Sequence, residues 1–274
     1  MYNNINMKIL ILLVIFLIII YIYLLTEDNV IWYNDKEYFN KFKNRIISNL
    51  ESNNKLVVPI QKKNHILIIT YDNRTNIPYI ILHNKNLNEY VHKWNFQYKF
   101  ITKCNYNVYW CKIHLVLDEL LTNKYDYVMW LDSDTYIFNM DINLSDIVNN
   151  YASDILIGSD NNPIYDITNA GVFIIRNTMI GIQYLRDCIN NFSPNCLKIN
   201  GLLKGKWAAS CYEQGIMNLL IADKYLYYTT ILSNNLIYNK DICNNNVFIM
   251  HLYASSNKNR IKCFTSNQNK NFIH

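Results

Sequence analysis

The stretch that decides the fold is Tyr127-Val-Met-Trp-Leu-Asp-Ser-Asp-Thr-Tyr-Ile-Phe138. Its first five residues form an apolar run, which is typical of a strand buried on both faces of a parallel sheet. Asp132 and Asp134 follow at the strand's carboxyl end, where open α/β sheets bind ligands. Two carboxylates this close repel each other unless a cation lies between them, and such oxygen ligands suit Mg²⁺ or Mn²⁺. Most Asp-x-Asp pairs are solvated loops, but the flanking apolar runs favour a metal site here.

Apolar strands alternate with amphipathic helices on both sides of this motif. The predicted strands are His65–Thr70, Phe96–Ile101, Tyr127–Leu131, Asp154–Gly158, Gly171–Arg176 and Val247–Met250. The predicted helices are Pro78–Trp94, with Asn76 and Pro78 at its start, then Trp110–Leu121, Met179–Asn190 and Cys211–Asp223. This alternation predicts an α/β domain with a single, mostly parallel sheet flanked by helices.

Composition and charge exclude several classes of protein. The chain has 274 residues, of which 51% are apolar, with only 6 Gly and 4 Pro, so it is neither disordered nor a collagen-like repeat. Its formal charge of +5 is spread along the chain. Because no run of basic residues forms an arm, we expect no nucleic-acid partner.

The N-terminal region contains a candidate membrane anchor, Ile9–Leu25, which is apolar and uncharged. About 17 residues is the short end of a bilayer span. One alternative is a buried core helix, but the segment has no polar face. The other is a cleaved signal peptide, but no small-residue cleavage site follows the segment. Lys8 before the span and the acids after it predict a cytosolic N-terminus and a domain facing the Golgi or ER lumen. The predicted organisation is a cytosolic tail (1–8), a single-pass signal anchor (9–25), a stem (26–63) and a catalytic domain (64–274).

The seven cysteines do not predict a metal site, because none forms Cys-x-x-Cys and no His lies at zinc-finger spacing. In an oxidising lumen some would pair, and at least one of the seven would stay free. Connectivity cannot be read from one sequence; Cys188 with Cys196 and Cys243 with Cys263 are the pairings we consider.

Several motifs occur in the same order as in a known family. They are Tyr109–Ile113, Tyr127–Asp134, Thr168–Asn177, Cys211–Leu220 and Val247–His251. This series resembles glycosyltransferase family 34, which includes fungal galactosyl- and mannosyltransferases and plant xyloglucan xylosyltransferases. The resemblance covers roughly residues 65 to 255 and implies a GT-A fold, a nucleotide-sugar donor (a UDP-sugar or GDP-mannose), a divalent metal, Mn²⁺ or Mg²⁺, and retention of anomeric configuration.

The resemblance also implies a role for each matching residue. The metal would be bound by Asp132, Asp134 and His251, and the base pocket would be lined by Thr70, Tyr71 and Asp72. The donor would be faced by Lys112 and Ser133, with Asp132 near its ribose. The transferred sugar would be contacted by Asn169, Ala170 and Gly171, and the reacting carbon would lie beside Glu213 and Gln214. Simpler interpretations exist for some of them. Lys112 could be a solvated charge on a helix, and His251 could be a histidine of the core. Asn169-Ala-Gly171 could simply form a turn, and Glu213 could be a charge that stabilises a helix N-terminus.

Two segments depart from the family pattern. The family usually has Gly three residues after the metal-binding His and a Lys shortly beyond it. Here that position is Ala254, and the nearest cations are Lys258 and Arg260. The polar run from Asp160 to Asn162 matches no family residue.

The resulting functional prediction is a membrane-anchored, metal-dependent transferase that moves a hexose or pentose to a glycan acceptor. The alternatives are a glycogenin-like transferase of another retaining family, a lectin-like relative that has lost catalysis, and a hydrolase with paired carboxylates. Trp110 to Lys112 and Glu213-Gln214 favour family 34 over the glycogenin-like family. The hydrolase explains neither His251 nor the first strand.

Overall fold

The computed structural model describes residues 64–160, 168–205 and 209–266. The predicted tail, anchor and stem lie outside these residues, as do Asn161 and Asn162. Within the described ranges, no helix is long and apolar enough to cross a membrane. The anchor therefore stays a prediction.

The described residues form strands and helices, which alternate one by one only as far as Leu131. The strands are β1 Ile66–Tyr71, β2 Gln97–Ile101, β3 Tyr127–Leu131, β4 Thr135–Ile137, β5 Ile155–Ser159, β6 Thr168–Arg176, β7 Thr229–Leu232, β8 Ile237–Asn239 and β9 Ile249–His251. The helices are α1 Pro78–Trp94, α2 Cys111–Leu121, α3 Leu144–Asn150, α4 Met179–Asn190, α5 Glu213–Leu220 and α6 Asn257–Thr265. A π-helical turn, Ile221–Tyr225, extends α5.

The central sheet has six strands in the order β2-β1-β3-β6-β5-β7. Only β6 runs against its neighbours, so the prediction of a mostly parallel sheet is confirmed. The prediction of a single sheet is wrong, because β4, β9 and β8 form a second, three-stranded sheet. All three strands have three residues each, too few to show the alternation of apolar and polar residues that marks a strand.

Helices cover both faces of the central sheet, because its strands are apolar on both sides. Leu67 and Phe173 face α2, α4 and α5 in one core cluster. Ile68 and Val172 pack with α1 and α3 in another. This three-layer arrangement brings the carboxyl ends of β1, β3 and β5 to one edge of the sheet, which is where ligands bind in such folds.

Three disulfides join described cysteines: Cys104–Cys111, Cys196–Cys211 and Cys243–Cys263. The pairing of Cys243 with Cys263 is therefore confirmed, and that of Cys188 with Cys196 is wrong. Cys188 lies on the core-facing side of α4 with no exposed surface, and it is the free thiol among the described residues. Burial raises the pKa of its thiol, so Cys188 is an inert core residue.

Candidate active site

The Asp132-Ser133-Asp134 turn is fixed by hydrogen bonds on both sides. The Asp132 backbone N–H donates to the Gly171 carbonyl at 2.8 Å, which ties the turn to β6. The Thr135 hydroxyl donates to the Asp132 carbonyl at 2.8 Å. Beneath the turn, His83 Nδ1 donates to the Thr135 carbonyl at 2.8 Å. The turn is thus held before any ligand arrives.

His251 joins the two carboxylates from the end of β9, which pairs with β4 so that His251 lies opposite Thr135. Its Nε2 is 3.2 Å from Asp134 Oδ1 and 3.8 Å from Asp132 Oδ2. One ligand atom from each of the three residues lies within 4.8 Å of the others. The predicted metal ligands are therefore brought together by strands that are far apart in sequence.

Asn239 on β8 orients the His251 ring, and no motif in the sequence indicated this role. The Asn239 amide nitrogen donates to the Ser159 carbonyl at 2.7 Å, which turns its amide oxygen toward His251 Nδ1 at 2.8 Å. Because that oxygen only accepts, Nδ1 carries a proton, and Nε2 is the ring nitrogen that faces the two aspartates. A second partner of this kind is usual for metal-binding histidines.

The charges at this cluster fit a divalent cation. Burial acts to raise the pKa of Asp134, but His251 and Arg260 outweigh it and lower that pKa to about 2. Burial acts to lower the pKa of His251, yet the two aspartates raise it. Two carboxylates and one imidazole suit Mg²⁺ or Mn²⁺ better than a soft metal, so the residues present fit the predicted ion.

Gly171 lies directly behind the His251 ring. A Cβ at this position would be 2.1 Å from His251 Cε1 and 2.5 Å from Nδ1, far inside contact distance. Gly171 also lines the cavity in which we expect the transferred sugar to bind. The missing side chain at this position therefore makes room for the metal-binding histidine, a role that the motif alone did not reveal.

Two cavities meet at the metal cluster and share Lys112, Asp132 and Asp134. The nucleotide-side cavity, of about 450 Å³, is also lined by Tyr71, Asp72, Asn73, Arg74, Tyr79, Val108, Tyr109, Trp130, Ser133 and Arg260. The sugar-side cavity, of about 410 Å³, is also lined by Asp160, Asn169, Gly171, Glu213, Gln214, His251, Tyr253 and Ala254. The pair of cavities has room for the two halves of one elongated ligand, with the acidic cluster between them.

On the nucleotide side, Asp72 holds its neighbours in place. It accepts hydrogen bonds from the Arg74 guanidinium at 2.7 and 3.0 Å and from the Ser133 hydroxyl at 2.5 Å. Burial acts to raise the pKa of Asp72, but these bonds lower it. Thr70 is fully buried with its hydroxyl 3.0 Å from His83 Nε2, and it does not line the nucleotide-side cavity, so its place in the base pocket stays a prediction. Its side chain points into the layer between β1 and α1.

Lys112 lies between the two cavities rather than in solvent. Its Nζ is 3.1 Å from Asp132 Oδ1, 3.0 Å from Glu213 Oε1 and 3.2 Å from the Ala170 carbonyl. Burial acts to lower the pKa of Lys112, but the two carboxylates outweigh it and raise the pKa. Burial raises the pKa of Glu213, which is only 1% exposed, against the opposing effect of Lys112. Lys112 thus stays charged and links Asp132 to the start of α5.

Gln214 and Asn169 place two amides around Asp160. The Asn169 amide nitrogen is 3.2 Å from Asp160 Oδ2, and the Gln214 amide nitrogen is 3.4 Å from the same oxygen. Gln214 Oε1 accepts from the Ala170 N–H at 3.0 Å. Ala170 itself is 1% exposed, and its contact with the sugar stays a prediction. Asp160 directly follows strand β5, just as Asp132 directly follows strand β3. This position at the end of a strand is the sequence signal that identifies Asp160 as a site residue.

Ala254 and Arg260 account for the departures from the family pattern. Ala254 has a φ of 51°, in the left-handed region that favours glycine. The alanine therefore keeps the backbone conformation that glycine would adopt. Arg260 reaches the site from α6 and donates to Asp134 Oδ2 at 2.7 Å, whereas the exposed Lys258 contributes nothing to either cavity.

Comparison with known proteins identifies the class to which this fold and site belong. The model of the nucleotide-diphospho-sugar transferase family matches residues 61–264. The chain belongs to that family and is a glycosyltransferase by fold. A comparison with curated proteins found no match.

Solved structures are similar to this chain at low sequence identity. One is a glycosyltransferase involved in glycosylation of the major capsid of PBCV-1, which is 13% identical with a TM-score of 0.54, over 74% of this chain and 99% of that one. Another is the glycosyltransferase GlyE of Streptococcus pneumoniae TIGR4, at 13% identity and a TM-score of 0.46, over 77% of this chain and 64% of that one. At 13% identity, the likeness to the PBCV-1 structure extends to the fold alone.

Proposed function

We propose that this chain is a metal-dependent, retaining glycosyltransferase that moves a hexose or pentose from a nucleoside-diphosphate sugar to a glycan hydroxyl. The observation that carries the proposal is the position of Asp132, Asp134 and His251 at the junction of two cavities. A nucleotide in one cavity and a sugar in the other would place the diphosphate at this junction. Membership of family 34 remains part of the proposal and rests on the motifs.

The residues at the junction have different proposed roles. Asp132, Asp134 and His251 would hold a divalent ion, proposed to be Mn²⁺ or Mg²⁺, which when bound neutralises charge on a diphosphate leaving group. Lys112 fixes Asp132 through its 3.1 Å contact and adds positive charge at the same point. Tyr71 and Tyr109 offer aromatic surface to a base in the nucleotide-side cavity.

Retention is proposed to follow from front-face attack rather than from a covalent intermediate. A nucleophilic carboxylate would have to reach the anomeric carbon, but Glu213 is 1% exposed and paired with Lys112 at 3.0 Å. Gln214 offers an uncharged amide in the same cavity, suited to supporting an oxocarbenium-like transition state. The stereochemistry is tested by the proton NMR coupling constant of the first-formed product. An inverted anomeric centre would overturn this part.

Two observations bear on the alternatives. Ala254 keeps the left-handed backbone expected of glycine, which removes one sequence-based reason to expect a catalytically inactive relative. The three disulfides support a lumenal domain, because such bonds persist in oxidising compartments. We therefore keep the proposal of a single-pass signal anchor facing the Golgi or ER lumen. Digestion of the domain by protease added outside intact microsomes would overturn that topology.

Calorimetry with UDP tests the site directly. Wild type should bind UDP more tightly with Mn²⁺ than with a chelator, because the ion and the diphosphate meet at Asp134. Asp134→Asn should abolish the difference, since a neutral amide binds a hard cation poorly. Asp118→Asn is the matched control, because Asp118 is exposed on α2 and lines neither cavity. Equal UDP affinity of the wild type in both conditions would contradict a metal-bridged site.

A further inference from the structure

Two loops beside the cavities expose a group of apolar side chains. They are residues 104–110, between β2 and α2, and residues 197–203, between α4 and α5. Their exposed apolar side chains form what we call the apolar patch: Tyr106, Val108, Leu197, Ile199 and Leu202. Each is at least 40% exposed, and Ile199 is fully exposed. Single apolar side chains on a surface are ordinary, but a group of them marks a surface that binds a protein or a membrane.

The two loops are held side by side on a rigid base. The Asn107 amide on the first loop donates to the Gly201 carbonyl on the second at 3.4 Å. The disulfides Cys104–Cys111 and Cys196–Cys211 fix the base of each loop. The Trp110 Nε1–H donates to the carbonyl of Cys211 at 3.2 Å and so ties the two bases together. The members of the patch are therefore neighbours, and the fold presents them together.

The patch borders both cavities. Val108 and the adjacent Tyr109 line the nucleotide-side cavity. The Tyr109 ring packs edge-on against Tyr212, with the ring centroids 5.1 Å apart, and Tyr212 directly precedes Glu213, which lines the sugar-side cavity. A partner bound to the patch would therefore lie next to the openings of both cavities.

The charge pattern of the two loops indicates which partner fits. Residues 100–111 and 188–212 contain no Asp or Glu but four lysines: Lys103, Lys198, Lys204 and Lys206. Aliphatic and tyrosyl side chains flanked by lysines are typical of surfaces that bind an anionic bilayer. Protein interfaces, in contrast, are depleted in lysine. A protruding aliphatic side chain such as Ile199 also suits insertion among lipids.

We propose that the apolar patch docks on an anionic membrane surface, with Ile199 and Leu202 among the lipids and the lysines near the lipid phosphates. Docking in this orientation holds the openings of both cavities next to the membrane. The inference goes beyond the proposed function and does not depend on donor chemistry. It is also separate from the predicted anchor, because it concerns a surface of the described domain.

A polarity-sensitive fluorophore at residue 199 tests this contact in the full chain. Ile199→Cys can be labelled selectively without reductant, because Cys188, the free thiol among the described cysteines, has no exposed surface. The labelled chain is reconstituted with vesicles of phosphatidylcholine alone or of equal parts phosphatidylcholine and phosphatidylserine. Its emission should shift to the blue far more in the anionic vesicles than in the neutral ones, and added salt should reverse the shift.

Two matched controls lie at the ends of α2 and α4 that are far from the loops. Met179 begins α4 and is 88% exposed, and Lys124 is exposed just beyond the end of α2. The Asn177 amide donates to the Asn123 side chain at 3.5 Å, which places both controls at the same end of the domain. A label on Met179→Cys should show no shift. In the first labelled chain, Lys103→Gln should weaken docking roughly fivefold, whereas Lys124→Gln should leave it unchanged.

Three results would overturn the inference. An unshifted label at residue 199 in anionic vesicles means that the patch does not contact lipid. A shift of equal size in neutral vesicles means that anionic lipid is not the partner. A shift that appears without vesicles and grows with protein concentration assigns the patch to contact with a second copy of the chain.

Discussion

Gly171→Ala should damage the metal cluster without a change in any ligand. The added Cβ would be 2.1 Å from His251 Cε1, about 1.3 Å short of the 3.4 Å at which ordinary contact begins. The ring must move, because the alternative is a shift of β6, which lies between β3 and β5 in the sheet. A displacement of this size would also lengthen the 2.8 Å bond from His251 Nδ1 to Asn239.

The expected magnitude follows from what that bond does. Loss of a partner that orients a metal-binding histidine commonly costs 10- to 100-fold in metal affinity. Gly171→Ala should therefore raise the dissociation constant for Mn²⁺ by roughly 10- to 100-fold, or about 1.4–2.7 kcal/mol. Asn239→Ala should produce a loss of similar size, because it removes the same orienting bond.

Titration of Mn²⁺, followed by calorimetry or electron paramagnetic resonance, measures this effect, and circular dichroism checks that the variants fold. Gly181→Ala is the control for crowding, since its Cβ would lie 2.3 Å from the Arg176 carbonyl, at the far end of β6 from Gly171. It should lower stability and leave Mn²⁺ affinity unchanged. Wild-type Mn²⁺ affinity in a folded Gly171→Ala would refute the placement of His251 as a ligand.

Three further predictions concern other buried groups. Lys112→Met should destabilise the protein by about 3–5 kcal/mol in urea unfolding, because it leaves Glu213 buried without its cation; a change below about 1 kcal/mol would contradict the ion pair. Gln214→Ala should lower kcat by ~10²–10³ with little change in donor affinity, and wild-type turnover would remove Gln214 from the reacting centre. Burial lowers the pKa of His83 from 6.5 to about 4, so its neutral form stabilises the fold above pH 6.5, and this stability is lost as the pH falls toward 4. The free energy of unfolding should fall by about 3 kcal/mol over this pH range. Urea unfolding at pH 7 and pH 4.5 should show a smaller fall in His83→Gln than in the wild type. Equal falls in the two proteins would refute the assignment of this pH dependence to His83.

The sequence predicted best the elements that a strong local pattern defines. Tyr127–Leu131 and Met179–Asn190 have the predicted bounds. The first is an apolar run in the middle of the sheet, and Thr178 caps the second by accepting a hydrogen bond from the Gly181 N–H. The second sheet escaped prediction because its strands have only three residues each, and because β9 pairs both with β8 and with β4, which is more than 100 residues away in the sequence.

The residues of the site were also predicted where a strong local pattern marks them and missed where none does. Asp132, Asp134 and His251 follow apolar strands, and both the motif and its chemistry pointed to them. Asn239 acts on His251 through a pairing of short strands that no local pattern reveals. The burial of Thr70 was also not apparent from the sequence, because alternate residues of a strand face opposite sides and the partner of its hydroxyl, His83, lies on α1.

The nucleotide-sugar donor supplies the most direct test. Purified protein is incubated with UDP-galactose, UDP-glucose, UDP-xylose or GDP-mannose, and release of the nucleoside diphosphate is measured with Mn²⁺ and with a chelator. We predict that at least one donor is turned over by the wild type with Mn²⁺ and that the chelator and Asp134→Asn each abolish the release. No release from any donor, or release that neither treatment changes, would contradict metal-dependent transfer at this site.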